Sequence, residues 1–324
     1  MLGAVLALLS AATFGLNAAA IRRGVLTGSV LQALAVTVTL GVPLFALTGL
    51  AFGAADSLRG FGWASWAWLA AAGAVHFVAG RYGNYKATQA MGAALSGPVQ
   101  QLAVPIALVL AIVFLHEVLT PLRVVGIVLV MAAPLIIVGG RRNDDGNRRR
   151  STFVPDFLGG TLWGLVAAVG YGTSPLLIRL GLEGGGLVDS IAGGFVSYLT
   201  AALIVLALLA IPANRAAIMR LDRATGGWFV FSGVAVWASQ LFRYMALAVA
   251  PVTVVITIQR TSVAFRAIFG WALNRDYETL SLRTMVGIGV SLIGAAALSV
   301  STELVLAHVP LPDAVEAAAR FTWP

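Results

Sequence analysis

Two arginines stand in stretches of sequence that are otherwise apolar, and a tyrosine follows each of them: Arg81-Tyr82 and Arg243-Tyr244. A guanidinium group is permanently charged and matches carboxylate and phosphate groups with two parallel hydrogen bonds. An arginine at the centre of a membrane-spanning helix costs at least about 2.5–3.5 kcal/mol, so it usually faces a partner or a water-filled cavity. The pair is compatible with anion binding or gating, with snorkelling towards the membrane surface, or with a structural ion pair.

Other polar side chains share a helix face with these arginines or form a second polar group. Helical spacing places Tyr85 beside Arg81, and Gln240 beside Arg243. A glutamine alone is compatible with an ordinary hydrogen bond between helices, typically about 0.6 kcal/mol in a membrane. Clustered with arginine, these residues favour a polar cavity. The predicted substrate-binding set is Arg81, Tyr82, Tyr85, Gln100, Gln101, Gln240, Arg243, Tyr244, Gln259, Arg260, Ser262 and Arg266.

Acidic residues are missing from the central part of every apolar run, and Glu117, Asp276 and Glu278 lie at the ends. A proton-coupled exporter of cations needs a carboxylate within the membrane, so the residues favour an anionic or zwitterionic substrate. His76 lies near the middle of its run and could titrate as a proton relay, or serve as a hydrogen-bonded packing residue. A coupling proton is therefore an open possibility.

Metal, cofactor and enzyme chemistry find little support in the sequence. There is no cysteine, and the three histidines (His76, His116 and His308) show no metal-ligand spacing. No metal site and no cofactor are predicted. A membrane enzyme would need clustered carboxylates, histidines or a nucleophile, and no such cluster is visible. The net charge of +8 fits basic membrane loops better than nucleic-acid binding, because no basic stripe alternates with aromatic residues.

Composition places these residues in a membrane protein. The chain is 59% hydrophobic and 10% charged, with a mean hydropathy of +0.92, whereas a soluble protein has roughly a quarter charged residues. The expected partners are the lipid bilayer and a small-molecule substrate, and the oligomeric state is open, with a monomer sufficient. A membrane span takes about 20 apolar residues. Such runs occur at approximately 2–21, 28–50, 66–90, 93–115, 122–140, 156–178, 188–211, 226–249, 251–273 and 284–302.

The ten predicted helices divide into two similar halves. A strongly polar segment at 141–150 separates them, and Trp66 and Arg81 recur as Trp228 and Arg243 at the same spacing. Duplicating an odd number of crossings inverts the second copy, as in transporters with a substrate site near the membrane midplane. The predicted fold is an all-α polytopic membrane protein with ten transmembrane helices as two inverted five-helix repeats. Its parts are a first repeat at 1–140, a polar linker at 141–155, a second repeat at 156–302 and a C-terminal tail at 303–324.

Short motifs at matching places in the two halves suggest a family. An aromatic residue precedes a glycine in the first helix of each half, as Phe14-Gly15 and Tyr171-Gly172. The pattern Glu-x-x-Thr/Ser-x5-Gly follows the fourth helix of each half, from Glu117 and Glu278. With the five-plus-five organisation, the chain resembles the drug/metabolite transporter superfamily, specifically EamA-type permeases. The resemblance implies export or exchange of amino acids, related metabolites or drugs, and a central cavity lined by the third, fourth, eighth and ninth helices.

The sequence predicts a secondary active transporter, an exporter or exchanger of small organic metabolites such as amino acids or organic acids, working by alternating access. A translocator of lipids or lipid-linked headgroups is the alternative, since arginines would suit it as well. The expected location is a bacterial cell inner membrane. Orientation is open, because the distribution of arginines places both termini outside, whereas the family resemblance implies termini in the cytoplasm.

Overall fold

The computed structural model describes residues 1–25, 27–139, 156–182, 184–273 and 282–299, with 302, 306, 312 and 320–322 of the tail. This part of the chain is helical and contains no β-strand. The predicted linker at 141–155 lies outside the described residues, as does most of the predicted tail at 303–324.

Fourteen α-helices and one π-helix make up the described part of the chain. The π-helix, Ala74–Gly80, lies between α4 and α5. The α-helices are α1 (Leu2–Val25), α2 (Val30–Ala51), α3 (Ala55–Gly60), α4 (Trp63–Gly73), α5 (Arg81–Gln100), α6 (Ala103–Leu115), α7 (Pro121–Gly139), α8 (Phe157–Leu182), α9 (Leu187–Leu209), α10 (Pro212–Met219), α11 (Arg223–Val249), α12 (Val252–Gln259), α13 (Ser262–Leu273) and α14 (Leu282–Ser299).

Several of these helices are long and apolar enough to cross a membrane. Among the described residues five stretches meet both criteria: Leu2–Val25, Val30–Ala51, Phe157–Leu182, Leu187–Leu209 and Val252–Gly270, the last of which spans α12 and α13. Shorter apolar helices occur at Ala103–Leu115, Pro121–Ala132 and Met285–Leu298. Large apolar side chains on many of these helices face outwards. Such a surface is expected for a protein that contacts lipid rather than water. The chain is therefore an integral membrane protein whose described part is helical.

The predicted boundary between the third and fourth spans is wrong. The runs 66–90 and 93–115 imply a break at 91–92, but α5 continues through this point and the chain leaves the helix at 101–102. Gly92 weakens a helix by about 1 kcal/mol relative to alanine without ending it. A glycine alone is therefore a poor marker of the end of a span.

The ninth predicted span, 251–273, is also not one continuous helix. It divides into α12 and α13 at Arg260 and Thr261, where backbone hydrogen bonds shorten to the three-residue spacing, from Arg260 N to Thr257 O at 3.0 Å and from Thr261 N to Ile258 O at 3.0 Å. Discontinuous helices of this kind form substrate and ion sites in many transporters. The break places Arg260 at the point where the helix direction is interrupted.

Helix packing is reciprocal between the two halves of the chain. The first helix, α1, packs against α11 and α13, while its counterpart α8 packs against α5 and α6. The remaining long helices pair with their own equivalents, α2 with α9 and α7 with α14. Each half is thus completed by helices of the other.

Glycine in the aromatic-glycine motif allows α1 and α8 to approach their partners. A Cβ atom at Gly15 would lie 2.9 Å from the backbone N of Arg266, and one at Gly172 would lie 2.8 Å from the carbonyl O of Ala103. Real Cβ atoms almost never come so close to backbone atoms. The same physical reason explains both glycines, because each lies at a close helix crossing that leaves no space for a Cβ atom.

The close crossing of α4 onto α9 gives a prediction for stability. A Cβ at Gly73 would lie 2.2 Å from the carbonyl O of Ser197, so we expect Gly73→Ala to force the helices apart, at roughly 1–3 kcal/mol as for other overpacked sites. The control is Gly289→Ala in α14, where a Cβ meets nothing within 4 Å and alanine should favour the helix by up to about 1 kcal/mol. The midpoint temperature of thermal unfolding in detergent should fall for Gly73→Ala and not for Gly289→Ala. Equal midpoints in the two variants would contradict the close crossing at Gly73.

Candidate functional site

A buried polar cluster joins the π-helix to α8 and α11. The guanidinium of Arg243 donates to the Ser174 hydroxyl at 2.7 Å and lies 3.1 Å and 3.2 Å from the two ring nitrogens of His76. His76 Nδ1 is itself 2.9 Å from the Ser174 hydroxyl. Because arginine has donors only, the imidazole must act as an acceptor towards it. Arg243 is only 1% exposed and His76 7%.

The position of His76 bears on the proton-relay role predicted from the sequence. Protonation of the ring would place a second positive charge directly against Arg243, and Arg81 and Arg260 also act on it electrostatically. An anion bound beside these groups would reduce that repulsion. The neutral His76 ring accepts a hydrogen bond from the buried Arg243 guanidinium and thereby orients it. π-helices are rare and often mark functional sites, and this one carries His76.

Arg81 begins α5 directly after the π-helix and lies equally deep in the protein. It is 4% exposed and donates to the hydroxyls of Thr37 at 3.3 Å and Tyr198 at 3.5 Å. Its guanidinium also lies over the Phe77 ring, 5.1 Å from the centroid, a favourable cation–π contact. Both arginines of the repeated pair are therefore turned inwards, which excludes snorkelling for either of them.

Arg260 and Arg266 add two further guanidinium groups to the same region. Arg260 interacts electrostatically with Arg243 and Arg266, and Arg266 lies over the Phe14 ring, 5.2 Å from the centroid. The Nε atom of each is buried and has no hydrogen-bond partner. A buried donor without a partner usually marks a strained or functional position.

Tyr171 interacts electrostatically with all four arginines. Its ring interacts electrostatically with Arg81, Arg260 and Arg266, and with Arg243. Its hydroxyl accepts a hydrogen bond from Asn84 Nδ2 at 3.3 Å, which leaves the hydroxyl proton available as a donor. The aromatic residue of the repeated motif thus lies among the guanidinium groups. Tyr85 belongs to the same group, since Arg81 and Arg266 both act on it.

Two of the predicted glutamines take part in hydrogen bonds, one within α11 and one between helices. Gln240 accepts from Arg243 at 3.3 Å, and Gln259 Nε2 donates to the Ser10 hydroxyl at 2.7 Å. Ser10 and Ser239 donate their hydroxyls to each other's carbonyl groups, both at 2.8 Å. Gln240 therefore positions Arg243, while Gln259 ties α12 to the contact between α1 and α11.

The tyrosines that follow the paired arginines lie in packing contacts instead. Tyr82 meets Trp163 edge-on, with ring centroids 5.5 Å apart, and Tyr244 meets Phe45 edge-on at 6.5 Å. Both contacts are between helices. The described contacts do not bring Tyr82 to one of the four arginines, whereas Tyr244 also interacts electrostatically with Arg243.

The remaining predicted residues lie near the helix breaks. Gln100 ends α5 and is half-buried, while Ser262 begins α13 and is buried. Gln101 stands in the turn between α5 and α6, and its Oε1 atom is buried without a hydrogen-bond partner. A buried polar atom without a partner thus occurs at each break, the Gln101 amide oxygen in one half and the Arg260 Nε in the other.

Sequence reasoning missed four residues of this cluster: Thr37, Tyr171, Ser174 and Tyr198. Tyr171 appears in the sequence only as a marker of the repeat, and Ser174 is an unremarkable serine before a proline. Thr37 and Tyr198 lie in the second helix of each half, where the internal similarity is weakest. A search for polar side chains at helical spacing from Tyr171 would have found Ser174, three residues on.

Ser174 gives a test of how Arg243 is positioned. Ser174→Ala removes the hydroxyl that accepts from Arg243 and contacts His76, and a hydrogen bond to a charged group is worth about 1.5–3 kcal/mol. We expect a rise in KM of roughly tenfold or more, with a smaller effect on the maximal rate. The matched control is Ser57→Ala in α3, which has no buried residues. Unchanged transport kinetics in the first variant would show that this contact does not position the guanidinium.

The corner between α11 and α12 is held by charged side chains from other helices. Arg179 donates to the carbonyl groups of Leu247 at 2.6 Å and Ala248 at 2.9 Å. The Glu117 carboxylate accepts from the backbone N of Val252 at 2.5 Å and of Thr253 at 2.9 Å. Each charge therefore faces the helix end of opposite polarity.

A separate cavity of about 410 Å³ lies at one end of the bundle. None of the predicted site residues lines it. Its walls include Asp56, Phe61, Leu182 and Asp189. Asp189 is engaged with the backbone N of Gly186 at the start of α9, at 2.7 Å. This cavity has no connection to the arginine cluster in the described contacts.

Fold and cluster together define a class, a polytopic helical membrane protein with a buried cationic centre between two reciprocally packed halves. The model of the EamA-like transporter family matches residues 1–139 and 158–300, and the chain belongs to that family. A solved crystal structure of another protein covers 91% of this chain and 95% of its own, with a TM-score of 0.66 and 17% sequence identity, which shows a shared fold alone. No curated protein matches the chain.

Proposed function

We propose that this protein is a secondary active transporter, an exporter or exchanger of small organic metabolites that carry an anionic group. The observation that carries the proposal is the cluster of four arginines, of which Arg81 and Arg243 are almost fully buried and Arg260 and Arg266 are half-buried. Guanidinium groups in a dry interior bind carboxylate or phosphate strongly and with defined geometry. Membership of the transporter family supports the mode of action.

The proposed mechanism is alternating access between two inverted five-helix repeats, with ten spans in all. The reciprocal packing of α1 on α11 and of α8 on α5 supports such a relation, because each repeat exchanges its first helix with the other. The breaks at 101–102 and at Arg260 support it too, since discontinuous helices at equivalent positions are typical of midplane substrate sites. We place the protein in a bacterial cell inner membrane, and a reporter fused to the C-terminus will decide its orientation.

Transport by purified protein in liposomes tests the proposal. Liposomes are loaded with unlabelled alanine, lactate, succinate or glycerol 3-phosphate, and counterflow of the matching labelled solute is measured. We expect counterflow of at least one solute above that of protein-free liposomes. Comparison of metabolites in cells with and without the protein provides the wider search. Accumulation of lipids rather than water-soluble metabolites in cells without the protein, with no counterflow of any solute, would overturn the proposal in favour of a lipid translocator.

A further inference from the structure

The arginine cluster holds more positive charge than its described surroundings neutralise. The hydrogen-bond partners of Arg81 are the hydroxyls of Thr37 and Tyr198. Arg243 is bound by His76, Ser174 and Gln240. All of these groups are neutral acceptors, which orient a guanidinium without cancelling its charge.

The acidic residues of the described chain are all engaged elsewhere. Four of them accept hydrogen bonds from backbone amides at the starts of helices, and the fifth forms an exposed ion pair with Arg59 at 3.0 Å. The four are Glu117 at α12, Asp156 at α8, Asp189 at α9 and Asp222 at α11, and the fifth is Asp56. Among the described residues no carboxylate is therefore left to pair with the buried arginines.

We infer that this site takes a small organic dianion, a solute with two negative charges as in a dicarboxylate or a phosphate monoester. The inference rests on the proposed function and narrows its substrate class. Arg260 and Arg266 each keep a buried Nε without a hydrogen-bond partner, in addition to the oriented guanidiniums of Arg81 and Arg243. A monoanion would leave most of this mutual repulsion in place, and a second negative charge on the solute reduces it further.

A zwitterion fits the same surroundings poorly. Its ammonium group would enter a region where Arg260 is already repelled by Arg243 and by Arg266, and the described residues offer it no carboxylate. The Tyr171 hydroxyl, whose oxygen already accepts from Asn84, can donate its proton to an anion instead. The arginines and the Tyr171 hydroxyl thus offer hydrogen-bond donors and a net positive charge, which match a solute with several acceptor oxygens.

Pairs of probes that differ by one charge test the inference on the purified full chain in detergent. Succinate is compared with its monoamide succinamate, and glycerol 3-phosphate with its methyl ester, at pH 8, where a phosphate group with a second pKa of about 6 is dianionic. Binding is measured by calorimetry and by thermal unfolding at constant ionic strength. We expect at least one dianion to bind roughly tenfold or more tightly than its monoanionic partner. The pair that shows the difference identifies the source of the charge as dicarboxylate or phosphate.

Variants locate the binding site. Arg260→Gln and Arg266→Gln should each reduce the preference for the dianion, whereas Arg59→Gln at the exposed ion pair should leave it unchanged. The wild-type comparison decides the inference even when a variant fails to fold. Equal binding within both pairs, tighter binding of the monoanions, or binding of alanine alone would overturn the inference. Counterflow of alanine or lactate in that case would still support the transporter proposal. Binding of a dianion without counterflow of any solute would contradict the transporter proposal but support the dianion site.

Discussion

Transport is expected to fall by roughly a hundredfold or more when Arg243 is replaced by glutamine. This side chain is 1% exposed and holds His76, Ser174 and Gln240 in one network. A hydrogen bond to a charged group contributes about 1.5–3 kcal/mol, and a direct contact to an anion adds the charge itself. Glutamine retains hydrogen-bonding capacity, but it has neither the charge nor the reach of a guanidinium.

Counterflow in liposomes measures this loss, and size-exclusion chromatography in detergent shows whether the variant is folded. Arg59→Gln is the matched control, because Arg59 is an arginine on a short exposed helix, paired with Asp56. Arg243→Lys separates charge from geometry, since lysine keeps the charge and loses the planar fork. Wild-type transport rates in a folded Arg243→Gln protein would show that Arg243 is not part of the substrate site.

The duplicated Arg-Tyr pair shows how far the sequence could predict the site. Arg81 and Arg243 could be predicted because a charge in an apolar run needs a partner or a cavity. The direction of each tyrosine could not, because helix packing decides which face is covered. Both tyrosines pack against aromatic rings of other helices and Tyr244 also interacts electrostatically with Arg243, while Tyr171, in another helix, lies among the arginines.

Helix boundaries show the same limit. Seven of the ten predicted spans correspond to single helices, because a long apolar run between polar residues fixes the length of a helix. Hydropathy misplaced the boundary after the third span, and it missed the break at Arg260. Local helix propensity is too weak to locate such breaks. A glycine destabilises a helix by about 1 kcal/mol, and the stabilisation from tertiary contacts is larger than this. The seven-residue π-helix before Arg81 likewise has no signal in the pattern of apolar residues.

The motif that begins at Glu117 could be recognised from the sequence, but its purpose could not. Its purpose depends on a tertiary contact, because the Glu117 carboxylate accepts hydrogen bonds from two backbone amides of α12. His116 prepares this contact, since its left-handed backbone, with φ of 52°, ends α6. Such a conformation costs a non-glycine residue roughly 1–2 kcal/mol, so the carboxylate contact offsets a local strain.

Loss of this carboxylate is expected to release the start of α12. In Glu117→Ala the amides of Val252 and Thr253 lose their acceptor, at a cost of about 1–3 kcal/mol, and the helix end loses a favourable charge. Hydrogen–deuterium exchange should rise at residues 252–253, and the unfolding temperature in detergent should fall. Glu117→Gln keeps one acceptor oxygen, so an intermediate effect is expected.

The control variant for this loss is Asp56→Asn, which removes an exposed carboxylate from a surface ion pair worth at most about 1 kcal/mol. Exchange at residues 252–253 should stay at the wild-type level there. Because α6 and α12 belong to different halves of the chain, the Glu117 contact links the halves near the corner that Arg179 holds from its other side. Unchanged exchange in Glu117→Ala would mean that α12 is held by packing alone, and the repeated glutamate would then need another explanation.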